Sequence, residues 1–308
     1  MNGRDAYKVS LGQQLAVAAA YAACYEVARY FSFSHWILTG GLRLACLLLM
    51  PARFWPALVL GEFLPSLENA LLHEADFGPW WALSAAVPMV LLWIPIVAPL
   101  RRRWPLHTGQ GALQTSTLLI ATLGTAAVGA LATALELESA LLTYPDKWPE
   151  LSAFTGFWAY LLGGYLGALT LTPALLALHE RATQPARLTW AAAWHSRLGR
   201  DVVGWALPLC IGLAWVATAA DQDLLRQMAR MALLLPVFAL ALRHGWHGTA
   251  IGGFIASAAL ATTITALLDP AMIRCQAVLA LGISGTLVIS AWLPRRKAVV
   301  SPAARAGR

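Results

Sequence analysis

The chain of 308 residues is too apolar and too poor in charge to fold as a water-soluble protein. Hydrophobic residues make up 59% of it, charged residues make up 12%, and its mean hydropathy is +0.62. Soluble domains carry about 25% charged and about 45–50% apolar residues. A globule of this composition could not cover its surface with polar groups, so lipid must be the surrounding solvent. The composition therefore excludes a large soluble domain, as well as disordered, collagen-like and disulfide-rich secreted chains.

Ten apolar runs with the length of membrane helices follow one another along the chain. A bilayer core of about 30 Å needs about 20 residues per helix. The second run is short and meets the third in the turn 51–53, which predicts a tight hairpin. The predicted fold class is all-α, a polytopic integral membrane bundle of about ten transmembrane helices. The predicted spans are 11–33, 36–50, 54–72, 80–100, 111–135, 154–178, 202–220, 224–242, 249–268 and 275–293.

The charges in the connecting segments indicate how the helices are oriented. Basic residues occupy alternate segments, from Arg4 and Lys8 to the arginines at 101–103, and the segments between them are acidic, as at Glu74 and Asp76. Cytoplasmic loops of membrane proteins collect Lys and Arg. The net charge of +7 is explained by these segments, so no nucleic-acid partner is expected. The expected organisation is a cytoplasmic N-terminal tail at 1–10, a membrane domain at 11–293 and a basic cytoplasmic tail at 294–308.

Two opposite charges lie inside the second and third spans at matching depth. Arg43 comes seven residues before Met50, and Glu62 comes eight residues after Phe54. At 1.5 Å per residue, they lie about 10 Å and about 12 Å from the cytoplasmic end. Because the short turn makes the two helices adjacent and antiparallel, we expect an Arg43–Glu62 ion pair. Pairing is expected because an unpaired charge in the membrane is costly. The pair is interpreted either as a structural clasp or as a switch element or ligand contact.

A second group of charges is predicted near the outer face. Glu26 and Arg29 are three residues apart on span one and therefore neighbours on its surface. The group could line a polar mouth that opens to the periplasm and takes a small ligand. Interfacial charges that simply reach into water are the alternative. The ligand or switch candidates are Glu26, Arg29, Arg43, Glu62, Glu68, Glu136, Glu138, Arg226 and Arg230.

The sequence shows no motif for catalysis or metal binding. His244 and His247 flank a predicted cytoplasmic turn, but a third metal ligand is not evident, so no metal site is expected. No Ser/His/Asp order, phosphate-binding loop or paired-carboxylate motif appears in the chain. We therefore expect a protein that is not an enzyme and has neither catalytic residues nor a cofactor.

Glycine and proline within span six predict close packing or bending. Gly163 and Gly167 are four residues apart, a spacing that lets helices approach closely. Pro173 frees a backbone carbonyl and creates a point at which the helix can bend. These three residues are predicted to act in helix packing or as a hinge.

Three groups of motifs occur in order along nearly the whole chain. The first hairpin contains a glycine-led apolar run at 41–49 (GLRLACLLL), an aromatic-Trp-Pro element within 53–56 (RFWP) and a Leu-Gly pair at 60–61. A Gly-x-x-x-Gly and Thr-Pro element follows at 163–173 (GGYLGALTLTP), and an apolar-Arg-x-Gly turn follows at 240–245 (LALRHG). Together these motifs resemble the membrane-associated sensor domain, type one (the MASE type).

The resemblance implies an integral membrane sensory domain of the kind found in bacterial histidine kinases and diguanylate cyclases. The chain departs from the family pattern at Gly164, where members often carry an acidic residue, and at Thr39 and Gly40, where prolines usually stand. Such sensors normally feed a cytoplasmic histidine kinase or diguanylate cyclase/phosphodiesterase module. Only the segment 294–308 follows the last predicted span. We therefore expect either that the partner is a separate chain or that the sequence is a detached sensory part of a longer receptor.

The combined prediction is a multi-pass sensory protein of the bacterial cell inner membrane. It perceives an unidentified signal from the periplasm or the bilayer and passes it to the cytoplasmic partner, in a two-component or related signalling system. A small-molecule ligand of unknown identity is expected, and a homodimer is compatible with the sequence. The alternative is a small secondary transporter, in which the intramembrane charges couple a solute to protons or ions. An assembly scaffold without a ligand is a third interpretation.

Overall fold

The computed structural model describes residues 10–32, 36–104, 106, 113–183, 196–263 and 269–292. Within these ranges 87% of the residues are helical and no strand occurs. The all-α fold that the composition predicts is therefore confirmed. Both predicted tails lie outside the described residues, apart from Ser10.

The described residues form thirteen α-helices. Local sequence explains where several begin, as at Ser10, whose hydroxyl accepts the N–H of Gln13 at 3.2 Å and caps the first helix. A 3₁₀ turn and a π-helical turn, at Ala52–Phe54 and Val202–Ala206, each lead into the helix that follows. The helices are α1 (Leu11–Tyr30), α2 (Leu38–Leu49), α3 (Trp55–Phe77), α4 (Pro79–Ala85), α5 (Met89–Arg103), α6 (Thr115–Thr143), α7 (Ala153–Ala182), α8 (Arg197–Asp201), α9 (Leu207–Ala219), α10 (Asp223–Ala232), α11 (Leu234–His244), α12 (Trp246–Ala261) and α13 (Pro270–Trp292).

Every predicted span overlaps one helix, or two consecutive helices, of the described chain. The remaining helices at predicted spans, α1, α2, α3 and α12, are shorter or less apolar than the six stretches that are long and apolar enough to cross a membrane. A polytopic membrane bundle is thus confirmed, while the count of ten and the cytoplasmic location of the termini stay predictions. The six stretches are Pro79–Arg103, Thr115–Thr143, Ala153–Ala182, Arg197–Ala219, Asp223–His244 and Pro270–Ser290.

The short helix α2 lies at the centre of the N-terminal half, where it packs against α1, α5, α6 and α7. Its 12 residues include nine that are buried, and they rise only about 18 Å. The cytoplasmic end predicted for α2 is closed by Arg101 of α5, which donates to the carbonyls of Leu47 and Met50 at 2.6 Å each. These contacts satisfy carbonyls that a helix end leaves unpaired. Protein rather than lipid surrounds α2, so it need not span the bilayer.

Helices α2 and α7 touch backbone to backbone where they cross. A Cβ atom at Gly167 would overlap the Ile37 backbone, and one at Gly41 would lie 2.6 Å from the Gly167 carbonyl oxygen. The Ile37 N–H donates to the Gly163 carbonyl at 3.1 Å, and the Thr172 hydroxyl donates to the Gly41 carbonyl at 3.0 Å. Glycine is therefore required at this crossing because any side chain would separate the two helices.

The C-terminal half docks on the N-terminal half mainly through α12 and α13, which both pack against α7. The rings of Trp36 and Phe254 meet with centroids 5.7 Å apart, and the Tyr165 hydroxyl lies 2.9 Å from that of Ser284. Between α11 and α12 the chain turns at Gly245, whose φ of +62° is readily adopted only by glycine. Helix α7 is thus the element that both halves share.

Polar contacts at the helix ends join segments for which the charge pattern predicts the same side of the membrane. At the predicted outer end, the Lys147 ammonium lies 3.4 Å from the Asp76 carboxylate. At the predicted cytoplasmic end, the His244 ring lies 2.8 Å from the Asp201 carboxylate. Helix ends that the charge alternation assigns to one side of the membrane are therefore in contact with each other in the bundle.

Replacement of Gly167 by alanine tests the backbone contact between α2 and α7. The added methyl group would overlap the Ile37 backbone, which has no flexible end that could move aside. We expect the free energy of unfolding to fall by about 1–3 kcal/mol, the usual cost of overpacking. Thermal unfolding of the purified protein in detergent measures the change.

Gly212→Ala in α9 is the matched control, because a Cβ atom there meets nothing within 4 Å. Its unfolding midpoint should equal or exceed that of the wild type, since alanine favours a helix interior more than glycine does. Equal midpoints for the two variants would contradict a tight crossing at Gly167.

Candidate functional site

The Glu62 carboxylate is the centre of a buried polar cluster in the N-terminal half. Arg43 donates to it through Nε at 3.0 Å and through Nη2 at 2.8 Å. The Tyr21 hydroxyl donates at 2.9 Å and the Val90 backbone N–H at 3.2 Å. The ion pair that the sequence predicts is therefore present, and Glu62 has a relative exposure of 0%. Four helices, α1, α2, α3 and α5, meet at this single carboxylate.

The Val90 N–H is free to donate because the helical conformation is interrupted between α4 and α5. Proline at position 88 precedes the first residue of α5, and the N–H groups of a first helical turn have no partner within their own helix. The partial positive charge of a helix N-terminus also stabilises a carboxylate placed against it. The proline break in the predicted fourth span thus supplies one of the donors that Glu62 needs.

Arg43 is held between Glu62 and an aromatic ring. Its guanidinium carbon lies 4.7 Å from the centroid of the Trp93 ring, an arrangement that favours a cation. Both Arg43 and Trp93 are buried. The charge of Arg43 is thereby balanced in two ways, by a bidentate carboxylate and by the face of an indole.

A cavity of about 200 Å³ lies beside the ion pair, lined by residues of α1 to α7. Arg43 and Glu62 form part of its wall, and so does Glu136 of α6. The lining also contains Gly164, the position at which the chain departs from the family pattern. Other polar and aromatic residues of the lining are Tyr25, Thr39, Ser66, Trp93, Thr133 and Tyr160.

The structure brings three of the nine ligand or switch candidates together at this cavity and places the other six elsewhere. Glu26 and Arg29 pair with each other at 2.9 Å on the surface of α1, and Glu68 and Glu138 are exposed. A single polar mouth formed by all of the outer charges is therefore not what the fold contains. Glu136, which the sequence assigned to the outer group, instead lines the cavity together with Arg43 and Glu62.

Arg226 and Arg230, which the sequence groups on one face, have separate partners. Arg226 pairs with Asp223 at 2.9 Å on the same helix. Arg230 is buried, reaches the hydroxyl of Thr263 at 3.1 Å and lies 3.4 Å from the Asp269 carboxylate. Arg230 thus ties α10 to the start of α13 rather than facing the cavity.

The three residues predicted for packing or hinging all belong to the continuous helix α7 and are buried. Gly163 and Gly167 lie at the crossing with α2, as described above. Pro173 stands inside α7 without ending it. Whether α7 bends there in operation stays a prediction.

Sequence reasoning missed Tyr21, Tyr25, Trp93 and Tyr160 as parts of the site. Aromatic residues are common in membrane helices, and 10% of this chain is aromatic, so their type alone did not distinguish them. The available signal was local: Tyr21 and Tyr25 are four residues apart and therefore share a face of the first span. Nothing comparable in the sequence links Tyr160 to this face.

Comparison with known proteins decides the family. The MASE1 family matches residues 10–294 of the chain. The chain belongs to the MASE1 family. It is also 26% identical over 234 residues to UhpB, a signal transduction histidine-protein kinase/phosphatase of Salmonella typhimurium, in an alignment that covers 73% of this chain and 40% of that protein. No solved structure matches the chain significantly.

The MASE1 chain described here is thus a multi-pass membrane sensor of the bacterial inner membrane that acts in signalling. The resemblance drawn from its motifs is confirmed. Because the aligned region spans 40% of the curated kinase, the activity of that whole protein is not carried over with it.

Arg43→Met tests the ion pair, since it removes the cation and keeps a side chain of similar length. Glu62 would remain buried with only the Tyr21 and Val90 donors. We expect the free energy of unfolding to fall by about 3–5 kcal/mol, as for other buried pairs that lose one partner. Exchanging the two residues, Arg43→Glu with Glu62→Arg, should restore only part of the loss, because the Val90 N–H would then face a second donor.

Arg29→Ala is the control for this pair. It removes an ion pair whose two side chains are 38% and 42% exposed, so thermal unfolding should show a loss below about 1 kcal/mol. Should the exchanged variant be no more stable than Arg43→Met, the charges of Arg43 and Glu62 do not act as a pair.

Asp269→Asn should destabilise the protein in a pH-dependent way. Burial opposes ionisation of Asp269, but the Ala271 N–H and the Arg230 guanidinium outweigh it, so the pKa of Asp269 lies below its ordinary value. A lowered pKa stabilises the fold above the ordinary value near about 3.9 and ceases to do so as the pH falls through the folded value. Unfolding midpoints measured between neutral and acidic pH should therefore converge for wild type and variant. A difference that is constant with pH would contradict this role.

Proposed function

We propose that the chain perceives a signal from the periplasm or the bilayer in the cavity beside Arg43 and Glu62. One observation carries the proposal: a cavity of about 200 Å³ has a buried ion pair in its wall, and that pair joins four helices. Ligand pockets in proteins are concave and combine apolar walls with a few placed polar groups. A ligand in this cavity would touch the contacts that hold α1, α2, α3 and α5 together.

The proposed mechanism is a shift between two packings of the helices around α2. A ligand changes such an equilibrium only by binding one packing more tightly than the other. Helix α2 would transmit the change, because one end of it lines the cavity through Thr39 and Gly40 and its other end is held by Arg101. On the orientation predicted from the charges, that second end faces the cytoplasm.

Helix α7 offers a second connection to the predicted cytoplasmic face. Gly164 lines the cavity, and near the other end of α7 the Glu180 carboxylate lies 3.3 Å from the His247 ring. His247 lies at the start of α12, beside the turn that also holds His244 against Asp201. His244 and His247 thus each lie beside a carboxylate of a neighbouring helix.

The cytoplasmic partner that we propose is a histidine kinase or an enzyme that makes or degrades cyclic di-GMP. Support comes from membership of the MASE1 family and from the similarity to a sensor histidine-protein kinase/phosphatase. We further propose that the membrane domain acts without catalysis of its own, as its motifs suggest. A transporter remains the rival function that the experiment below addresses.

The first experiment is mild purification of the tagged chain from its native membranes, followed by mass spectrometry. The proposal expects a histidine kinase or a cyclic di-GMP enzyme in stoichiometric amount. The second step compares the output of that enzyme in membranes with wild type or Ala126→Leu, since Ala126 lines the cavity and is buried. Leucine would fill part of the cavity, so the response of the enzyme to conditioned growth medium should be lost.

Leu123→Phe on the same helix is the matched control, because Leu123 is exposed at the lipid-facing surface. Its output should follow the wild type. The proposal fails if the purified chain is alone and if proteoliposomes that contain it accumulate a labelled solute, which is the behaviour of a secondary transporter.

A further inference from the structure

One carboxylate in the cavity wall has no hydrogen bond or ion pair within the described chain. Arg43 and Glu62 neutralise each other through their paired hydrogen bonds. The Glu136 carboxylate, which lines the same cavity, makes no hydrogen bond or ion pair with any described residue. Among the charged residues of the lining, Glu136 is therefore the one whose side chain has no direct partner in the described chain.

Glu136 lies in the last third of α6, one residue beyond the predicted fifth span, and its side chain is partly buried. It precedes the last residue of α6, Thr143, by seven positions, which places it about 10 Å from the helix end. Carboxylates within membrane helices are rare and nearly always pair with another group or face a wet cavity. A bound cation would provide the missing partner for Glu136.

An aromatic ring in the same lining favours an organic cation. Tyr160 lines the cavity with Glu136, and the face of such a ring attracts ammonium groups. The rings of Trp93 and Tyr25 already lie beside the Arg43 guanidinium, which leaves Tyr160 for a ligand. A divalent metal ion fits less well, because Mg²⁺ and Ca²⁺ require about six or more oxygen ligands.

The size of the cavity limits the ligand. A volume of about 200 Å³ is somewhat larger than that of an engineered cavity of about 150 Å³ that holds one benzene molecule. A ligand of about five to seven non-hydrogen atoms therefore fits. An anion of that size would meet the Glu136 carboxylate with a charge of the same sign.

We propose that the cavity binds a small organic ammonium compound, with its positive charge on the Glu136 carboxylate and the ring of Tyr160 beside it. This inference rests on the proposed function, since it names the chemical class of the signal. It also assigns Glu136, rather than Arg43 or Glu62, as the residue that selects the charge of the ligand.

The test compares three probes of the same size: n-butylammonium chloride, n-butanol and sodium butyrate. Each is titrated against the full chain in lipid nanodiscs, and the unfolding midpoint is recorded. We expect a saturable rise with n-butylammonium of about 2 °C at a tenfold excess over its dissociation constant. The alcohol and the carboxylate should give no saturable rise.

Glu136→Gln removes the charge and keeps the shape, so it should lower the affinity for n-butylammonium at least about tenfold. Glu138→Gln is the matched control, because Glu138 is exposed two positions along the same helix and is not part of the lining. Its titration should match the wild type. Ala126→Leu, which fills the cavity but keeps Glu136, should also abolish the rise.

Several outcomes would overturn the proposal: saturable binding of n-butanol or butyrate, unchanged binding by Glu136→Gln, or no saturable rise with n-butylammonium. Its failure is distinguishable from failure of the proposed function. If n-butylammonium does not bind but Ala126→Leu still changes the output of the partner enzyme, the ligand class is wrong and the sensor stands. If n-butylammonium binds through Glu136 but no signalling enzyme accompanies the chain, the site stands and the sensory role is wrong.

Discussion

The buried carboxylate of Glu62 is the constraint on which the arrangement of the N-terminal half depends. A charge at this depth is tolerated only when it is paired and hydrogen-bonded. Glu62 takes its cation from α2, a hydroxyl from α1 and a backbone N–H from α5. Each donor holds its own helix against α3. The hydrogen bonds that the Glu62 carboxylate requires therefore position α1, α2 and α5. The short α2 and the proline break before α5 are the features that bring those donors within reach.

The cavity is a consequence of the same two features. Helix α2 has only 12 residues, and the helical conformation is interrupted at 86–88 between α4 and α5. Because neither element is a full-length helix, space is left between α1, α3, α6 and α7. Small residues on the facing helices, such as Ala126, Gly129 and Gly164, keep that space open. The cavity and the Arg43–Glu62 ion pair therefore share one wall. Any molecule that enters the cavity lies against the contacts that hold the helices in register.

The family membership and the geometry complement each other. MASE1 membership makes the chain a membrane sensor, but it does not indicate where a signal binds. The geometry adds a candidate, because the ion pair and the cavity meet at the end of α2 that lies opposite Arg101. Helix α7 also connects the cavity to the rest of the bundle. It crosses α2 at Gly167 without intervening side chains, and it packs against helices of both halves. A rigid crossing of this kind can pass a displacement at one end to the other.

The sequence alone determined the apolar spans, the all-α class, the family and the Arg43–Glu62 pair. That pair was predictable because a short turn places its two helices side by side, so depth along each helix is enough to match the charges. Only the tertiary structure decided that Glu136 and Tyr160 face the same cavity. Helices such as α6 are apolar around their whole circumference, so their hydrophobic pattern does not indicate which face turns inward. That choice is made by packing between helices that are distant in sequence.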